Sequence, residues 1–158
     1  MANIVTAFVG ETLDPHCSVS ILHFPEAVTQ TFIAGEFVYL NAGYLTICAA
    51  GDTAAIMGMA LEPTHNAAAA GLYSIPVAIA KETTLFMLSE SAAATPLWAI
   101  QAADLGASWN LLISAPGRWC INKDTAGGPG RIVRFRHAVG EQYGQVLVII
   151  NATHRQIN

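Results

Sequence analysis

The sequence predicts an all-β protein: a small β-barrel or sandwich of short strands with an extended N-terminal arm. Apolar runs of about five to eight residues recur along the chain, and turn-forming residues separate them at regular spacing. No window of about ten residues has a convincing helical face. The chain has 158 residues, the size of one domain with a substantial core. We therefore expect a β-barrel domain over residues 34–158, preceded by an arm over residues 1–33.

The predicted arm differs from the rest because it shows no sustained period of 2 or 3.6 residues. We expect one short strand in it, at residues 18–22. An apolar segment without its own pattern either docks on another subunit or wraps around its own domain, and both alternatives fit the sequence. We expect a chain that lacks residues 1–29 to bind its partner subunits more weakly while its barrel stays folded, and we expect the interface to include the aromatic residues Phe8, Phe24 and Phe32.

The barrel strands follow in order from residue 34. Asn41-Ala42-Gly43 suits a short hairpin with glycine at positive φ, and Gly51-Asp52 suits a second turn. We expect flexible loops at residues 65–71 and 124–130, because these segments are rich in small residues. The last strand is continuously apolar, which predicts burial of both its faces. The predicted strands cover residues 34–40, 44–48, 54–62, 75–80, 84–88, 98–102, 109–114, 118–122, 132–138 and 145–150.

The composition favours a protein that associates with other protein subunits. Charged residues make up 11% of the chain, against about 25% in an average soluble domain. Hydrophobic residues make up 53%, and the mean hydropathy is +0.44. The longest charge-free stretch, residues 63–80, contains two prolines and several polar residues, which argues against a membrane-spanning helix. A net charge of −4 argues against nucleic acid as the main partner, and no signal peptide is expected.

The sequence offers little support for catalysis, and we expect no enzymatic activity, no cofactor and no metal. His16, Cys17 and His23 lack the paired spacing of zinc ligands. We interpret Cys48 and Cys120 as reduced cysteines that are buried in the core. The carboxylates lie isolated among apolar strands, without a pair suited to acid–base work; they are Asp52, Glu62 and Asp104. A hydrolase with a serine or cysteine nucleophile is a remote alternative.

A single cluster of basic residues stands out, and it consists mainly of arginines. Arg131, Arg134 and Arg136 follow a glycine-rich loop, with Arg118 and His137 nearby in sequence. The loop lacks the residue order of a phosphate-binding loop and precedes a strand rather than a helix. Arginine pairs well with carboxylates at interfaces, so we expect these three arginines to face an acidic surface of a neighbouring protein subunit.

The order of several short motifs resembles the small β-barrel decoration, or cement, proteins of tailed-bacteriophage heads. The likeness covers roughly residues 30–150. The segments that carry it are Phe32-x-x-Gly35-x-Phe37-Val38-x-Leu40, Ile56-x-Gly58-x-Ala60-Leu61-Glu62, Ile75-Pro76-Val77-Ala78-x-Ala80, Asp104-Leu105-Gly106 and Gly117-Arg118-Trp119.

The resemblance implies a non-enzymatic virion protein on the capsid exterior, made in the host cytoplasm. It would bind the major capsid protein, bridge neighbouring capsid subunits and assemble as a homotrimer. A tail or baseplate part built on a similar barrel is one alternative. Another is a barrel that binds a small ligand or glycan, in which one of the tryptophans stacks on a sugar; they are Trp98, Trp109 and Trp119. Burial in the core is the default expectation for each tryptophan.

Overall fold

The computed structural model describes residues 8–12, 18–49, 55–91, 99–115 and 118–157, and it confirms the all-β class. Two short 3-10 helices lie at Ala102–Asp104 and Ala152–His154. The strands within the described ranges are β1 (Phe8–Thr12), β2 (Ile21–Pro25), β3 (Phe37–Asn41), β4 (Tyr44–Ile47), β5 (Gly58–Ala60), β6 (Ser74–Ile79), β7 (Thr84–Ser91), β8 (Ser108–Ala115), β9 (Arg118–Ala126), β10 (Gly130–Phe135) and β11 (Gln145–Ile150).

The strands form two sheets. The first has the order β1-β7-β11-β10-β8-β9, and a parallel pairing of β9 with β7 makes it curl back on itself. The second has the order β2-β6-β5-β3-β4. A parallel bridge between Glu26 and Leu45 joins the end of β2 to β4 and closes this second sheet into a five-stranded barrel.

Strand β3 connects the two hydrophobic cores because both its faces are buried. Side chains alternate along a strand, so Phe37 and Val38 point in opposite directions. Phe37 belongs to the core of the first sheet, whereas Val38 belongs to the core of the barrel. The Phe37 ring makes edge-to-face contacts with Phe86 and Trp119, at centroid distances of 5.2 and 5.3 Å. The barrel is thereby anchored to β7 and β9 of the first sheet.

The described part of the N-terminal segment wraps around its own domain, which is the second of the two alternatives. Strand β1 pairs with β7, and β2 pairs with β6 as one of the five barrel strands. The strand expected at residues 18–22 forms at Ile21–Pro25. Deletion of residues 1–29 would remove both strands, so the structure gives a physical reason to expect that this truncation destabilises the barrel.

Two predicted strands differ from the observed structure because their backbone groups form hydrogen bonds with other partners than a neighbouring strand. In the described part of the strand expected over residues 54–62, the regular strand is only β5, since the Ile56 N–H donates to the carbonyl of His154 in the C-terminal segment at 2.6 Å. In the described part of the strand expected over residues 98–102, Ala99 makes a single bridge to Gln142, and a 3-10 turn begins at Ala102. There Gln101 N–H donates to Asp104 Oδ2 at 2.7 Å, which stabilises the turn.

The glycine-rich segment between β9 and β10 is packed, which corrects the expectation of a flexible loop. Gly128 and Pro129 are buried. Asn151 holds both: its Nδ2 donates to the carbonyl of Gly128 and its backbone N–H to that of Pro129, each at 2.9 Å. A Cβ atom at position 128 would overlap Asn110, so close packing explains the glycine.

The hairpin between β3 and β4 has the predicted turn, with one strained position. Ala42 and Gly43 have φ values of 49° and 87°, the pattern of a type I′ turn. The left-handed conformation is unfavourable for alanine but well tolerated by asparagine.

We therefore expect Ala42→Asn to raise the free energy of unfolding by about 0.5–1 kcal/mol. Ala42→Val is the matched control, because a β-branched residue at positive φ should lower stability. Urea unfolding of the three proteins measures both changes. An asparagine variant no more stable than the parent would contradict the assignment of the turn.

Candidate functional site

The three arginines predicted to form an interface share the outer face of β10 and its continuation. A β-bulge between Ile132 and Arg134 shifts the alternation of side chains by one residue. Ile132 and Phe135 therefore both face the first core, although they are three residues apart. Arg131 and Arg134 lie on the opposite, exposed face, and the next outward position holds Arg136, which is also exposed. The structure thus brings together the three basic residues that the sequence singled out.

The aromatic residues of the predicted interface lie in different environments. Phe32 is fully buried in the core of its own barrel, so its ring is not on the surface. Phe24 is partly buried and contacts the same core. Phe8 lies in β1, and only its backbone pairing is described. Phe32 thus stabilises the barrel instead of presenting a contact surface.

Four exposed apolar side chains lie on three segments of the barrel that meet one another, and we call this group the loop-end patch. Backbone hydrogen bonds join these segments: Glu26 N–H donates to Tyr73 O at 2.9 Å, and Ala27 N–H to Leu45 O at 3.1 Å. Leu72 is 60% exposed. The patch consists of Val28, Tyr44, Leu72 and Tyr73.

A buried carboxylate, Glu26, organises the loop beneath this patch. Its Oε2 accepts hydrogen bonds from the backbone N–H of His65 at 3.0 Å, and its Oε1 accepts from that of Ala67 at 3.0 Å. The imidazole Nδ1 of His65 lies 3.2 Å from Oε2, and its ring stacks on Tyr73. The loop expected to be flexible is therefore held in place, and Tyr73 is positioned through it.

The charge state of Glu26 follows from a competition between burial and hydrogen bonding. Burial by itself raises the pKa of the carboxyl, but the hydrogen bonds from His65 and Ala67 outweigh it. The pKa of Glu26 therefore lies below its ordinary value of 4.5. Sequence reasoning missed this residue because a single glutamate after a strand carries no signal of long-range contacts.

Glu26→Ala should lower the free energy of unfolding by about 2–4 kcal/mol, because two loop N–H groups lose their acceptor. Glu62→Ala is the matched control: Glu62 is exposed, and its loss should change stability by about 0.5 kcal/mol or less. Urea unfolding measures both. Equal effects of the two substitutions would contradict the role given to Glu26.

The same residue gives a pH dependence whose sign is fixed by its lowered pKa. The stability that the Glu26 carboxylate provides is complete above pH 4.5 and is lost as the pH falls through the lower pKa of the folded state. The stability difference between the parent and Glu26→Gln should therefore be largest near neutral pH and shrink in acid.

A second buried cluster, of one lysine and two carboxylates, corrects the prediction that Asp104 is isolated. Lys123 on β9 lies 2.5 Å from Asp104 Oδ2 and 3.3 Å from Glu90 Oε2. Its Nζ also donates to the carbonyl of Ala99 at 3.3 Å. All three charged side chains are almost completely buried. We call Glu90, Asp104 and Lys123 the buried triad.

Glu90 is the least satisfied member of the buried triad. Its Oε1 is buried and has no hydrogen-bond partner among the described residues. Burial raises the pKa of Glu90 from 4.5 to about 7; Lys123 opposes this increase and Asp104 adds to it. Glu90 therefore holds a proton over part of the range near neutral pH. The sequence offered no hint of the triad, because the pairing of β7 with β9 and the position of the 3-10 turn bring together residues that lie apart along the chain.

The remaining candidates for chemistry have mainly structural environments. Cys48 and Trp119 are buried in the first core, and Trp109 contacts that core. Cys120 is also fully buried. In the described part of the chain, no group of three metal-binding side chains is placed to hold a metal ion. His16, Cys17, Asp52 and Trp98 lie outside the described residues. Because Trp119 is 1% exposed, it cannot stack on a sugar at the surface of this conformation.

The comparisons with known proteins identify no relative. No protein-family description matches the chain, and neither a curated protein nor a solved structure is significantly similar to it. Among the described residues, the helical segments are too short to cross a lipid bilayer. The likeness to phage decoration proteins therefore rests on the sequence motifs alone.

Proposed function

We propose that this protein is a non-enzymatic structural component of a bacteriophage virion that binds the exterior of the capsid. It bridges neighbouring subunits of the major capsid protein and assembles as a homotrimer. The observation that carries the proposal is the loop-end patch, which exposes apolar side chains at one end of a barrel whose chain has few charges. The motif order described above supports the same assignment.

The patch suits a permanent contact between proteins. Interfaces are enriched in tyrosine and other large apolar side chains, and Tyr44 and Tyr73 supply two such residues. Burial of apolar surface contributes roughly 25 cal/mol per Å² before the cost of association. A modest contact repeated over a capsid lattice therefore adds a large total stabilisation of the shell.

The arginine face offers a second, polar contact. Arg131, Arg134 and Arg136 are exposed and point outward from one strand. Guanidinium groups bind carboxylates in two-pronged hydrogen bonds, so an acidic surface on a neighbouring subunit would complement this face. Such pairs contribute orientation and specificity more than affinity.

The direct test is to purify particles from the source and to quantify this chain against the major capsid protein by mass spectrometry. The proposal predicts a ratio near one to one, as expected for a lattice-wide decoration protein. A ratio of a few per hundred would replace it with a tail, baseplate or vertex role. Absence from the particles would overturn the virion assignment.

Leu72→Asp should weaken binding to particles stripped of this protein by at least about tenfold, because it places a charge in the apolar contact. Val139→Asp is the matched control, since Val139 is 58% exposed and Leu72 60%, but Val139 lies on a loop outside the patch. Sedimentation with the particles measures both variants. Equal binding by the two variants would show that the loop-end patch is not the contact surface.

A further inference from the structure

The buried triad has the composition and geometry of a site for covalent bond formation between side chains. A lysine amine and a carboxyl group are in direct contact, with Lys123 Nζ 2.5 Å from Asp104 Oδ2. A second carboxyl group, Glu90, contacts the same nitrogen at 3.3 Å. The proposed capsid contacts make no use of these three residues.

We propose that Lys123 and Asp104 condense to an intramolecular amide bond between Nζ and Cγ, with Glu90 as the catalytic residue that carries the protons. The product is an isopeptide cross-link between β9 and the 3-10 turn that precedes β8. This inference is independent of the proposed function, because it concerns only contacts inside the chain.

The reaction balances within the three side chains. The Lys123 ammonium passes one proton to the Asp104 carboxylate, which leaves a neutral amine and a neutral carboxylic acid. The Nζ lone pair then attacks Cγ, and the C–N bond forms as the carbonyl electron pair moves to oxygen. Glu90 takes a proton from nitrogen through Oε2 and delivers a proton to the departing hydroxyl. One water leaves, and Glu90 ends in its starting state.

Burial prepares Glu90 for the role of proton carrier. Glu90 holds its proton near neutral pH because burial raises its pKa to about 7. Its Oε1 has no partner among the described residues, so this oxygen is available to serve the leaving group.

The surrounding backbone fixes the reacting groups in place. The Gln101 N–H donates to Asp104 Oδ2 at 2.7 Å, and the Ala99 carbonyl accepts from Lys123 Nζ at 3.3 Å. Reacting groups that the protein holds in contact gain a large rate advantage over free reactants. An amide product keeps one N–H donor and one carbonyl acceptor for these two partners, while it removes two buried charges.

Mass spectrometry of the full chain under denaturing conditions tests the bond directly. The proposal predicts an intact mass lower than that of the unmodified chain by one water molecule. Trypsin should release residues 82–118 joined to residues 119–131, because it does not cleave after a modified lysine. An unmodified mass, with separate peptides 119–123 and 124–131, would overturn the proposal without any variant.

Two substitutions separate the catalytic role of Glu90 from a structural one. Glu90→Gln keeps the shape of the side chain but cannot cycle protons, so the folded variant should retain the full unmodified mass. Asp104→Asn should still form the bond, with loss of ammonia, and give the same joined peptide mass as the parent. A Glu90→Gln protein cross-linked to the same extent as the parent would overturn the role of Glu90.

Discussion

The architecture depends on the burial of β3 on both faces. Phe37 packs edge-to-face on Phe86 and Trp119 of the first sheet, while Val38 fills the barrel. Neither core is complete without this strand, because each receives alternate side chains from it. Close-packed interiors transmit small displacements, so a change at Phe37 affects the placement of the barrel on β7 and β9. The surfaces that the barrel presents are positioned in part through this contact.

Buried polar groups then fix the parts of the chain that strand pairing leaves open. Glu26 organises the loop at residues 65–67, and Asn151 holds the segment between β9 and β10. The buried triad joins β7, β9 and the 3-10 turn. Such groups are costly to bury unless their partners are in place, so they select one arrangement of each loop. The loop-end patch and the arginine face therefore lie on backbone segments whose conformation is well defined.

Sequence patterns predicted what depends on neighbours along the chain. The Asn41-Ala42-Gly43 turn and the double burial of β11 follow from local residue types, and both are present. The shortened β5 and the packed glycine segment depend on the C-terminal residues, which lie far away in sequence. The bulge in β10 has no sequence signature either, yet it places Arg131 and Arg134 on one face. Contacts between residues far apart in the sequence determine these features, so local sequence patterns do not predict them.

The distribution of charge links the interior to the proposed contacts. The chain has 18 charged residues, and among the residues that the structure describes five are buried: Glu26, Glu36, Glu90, Asp104 and Lys123. The interior therefore takes up a substantial share of an already small number of charges. What remains is a surface with few charges to oppose association, on which the outward-facing arginines of β10 are a concentrated basic feature. A surface of this kind favours apolar contacts at the loop-end patch. Electrostatic contacts with a partner would then be made mainly by the arginines of β10 and its continuation.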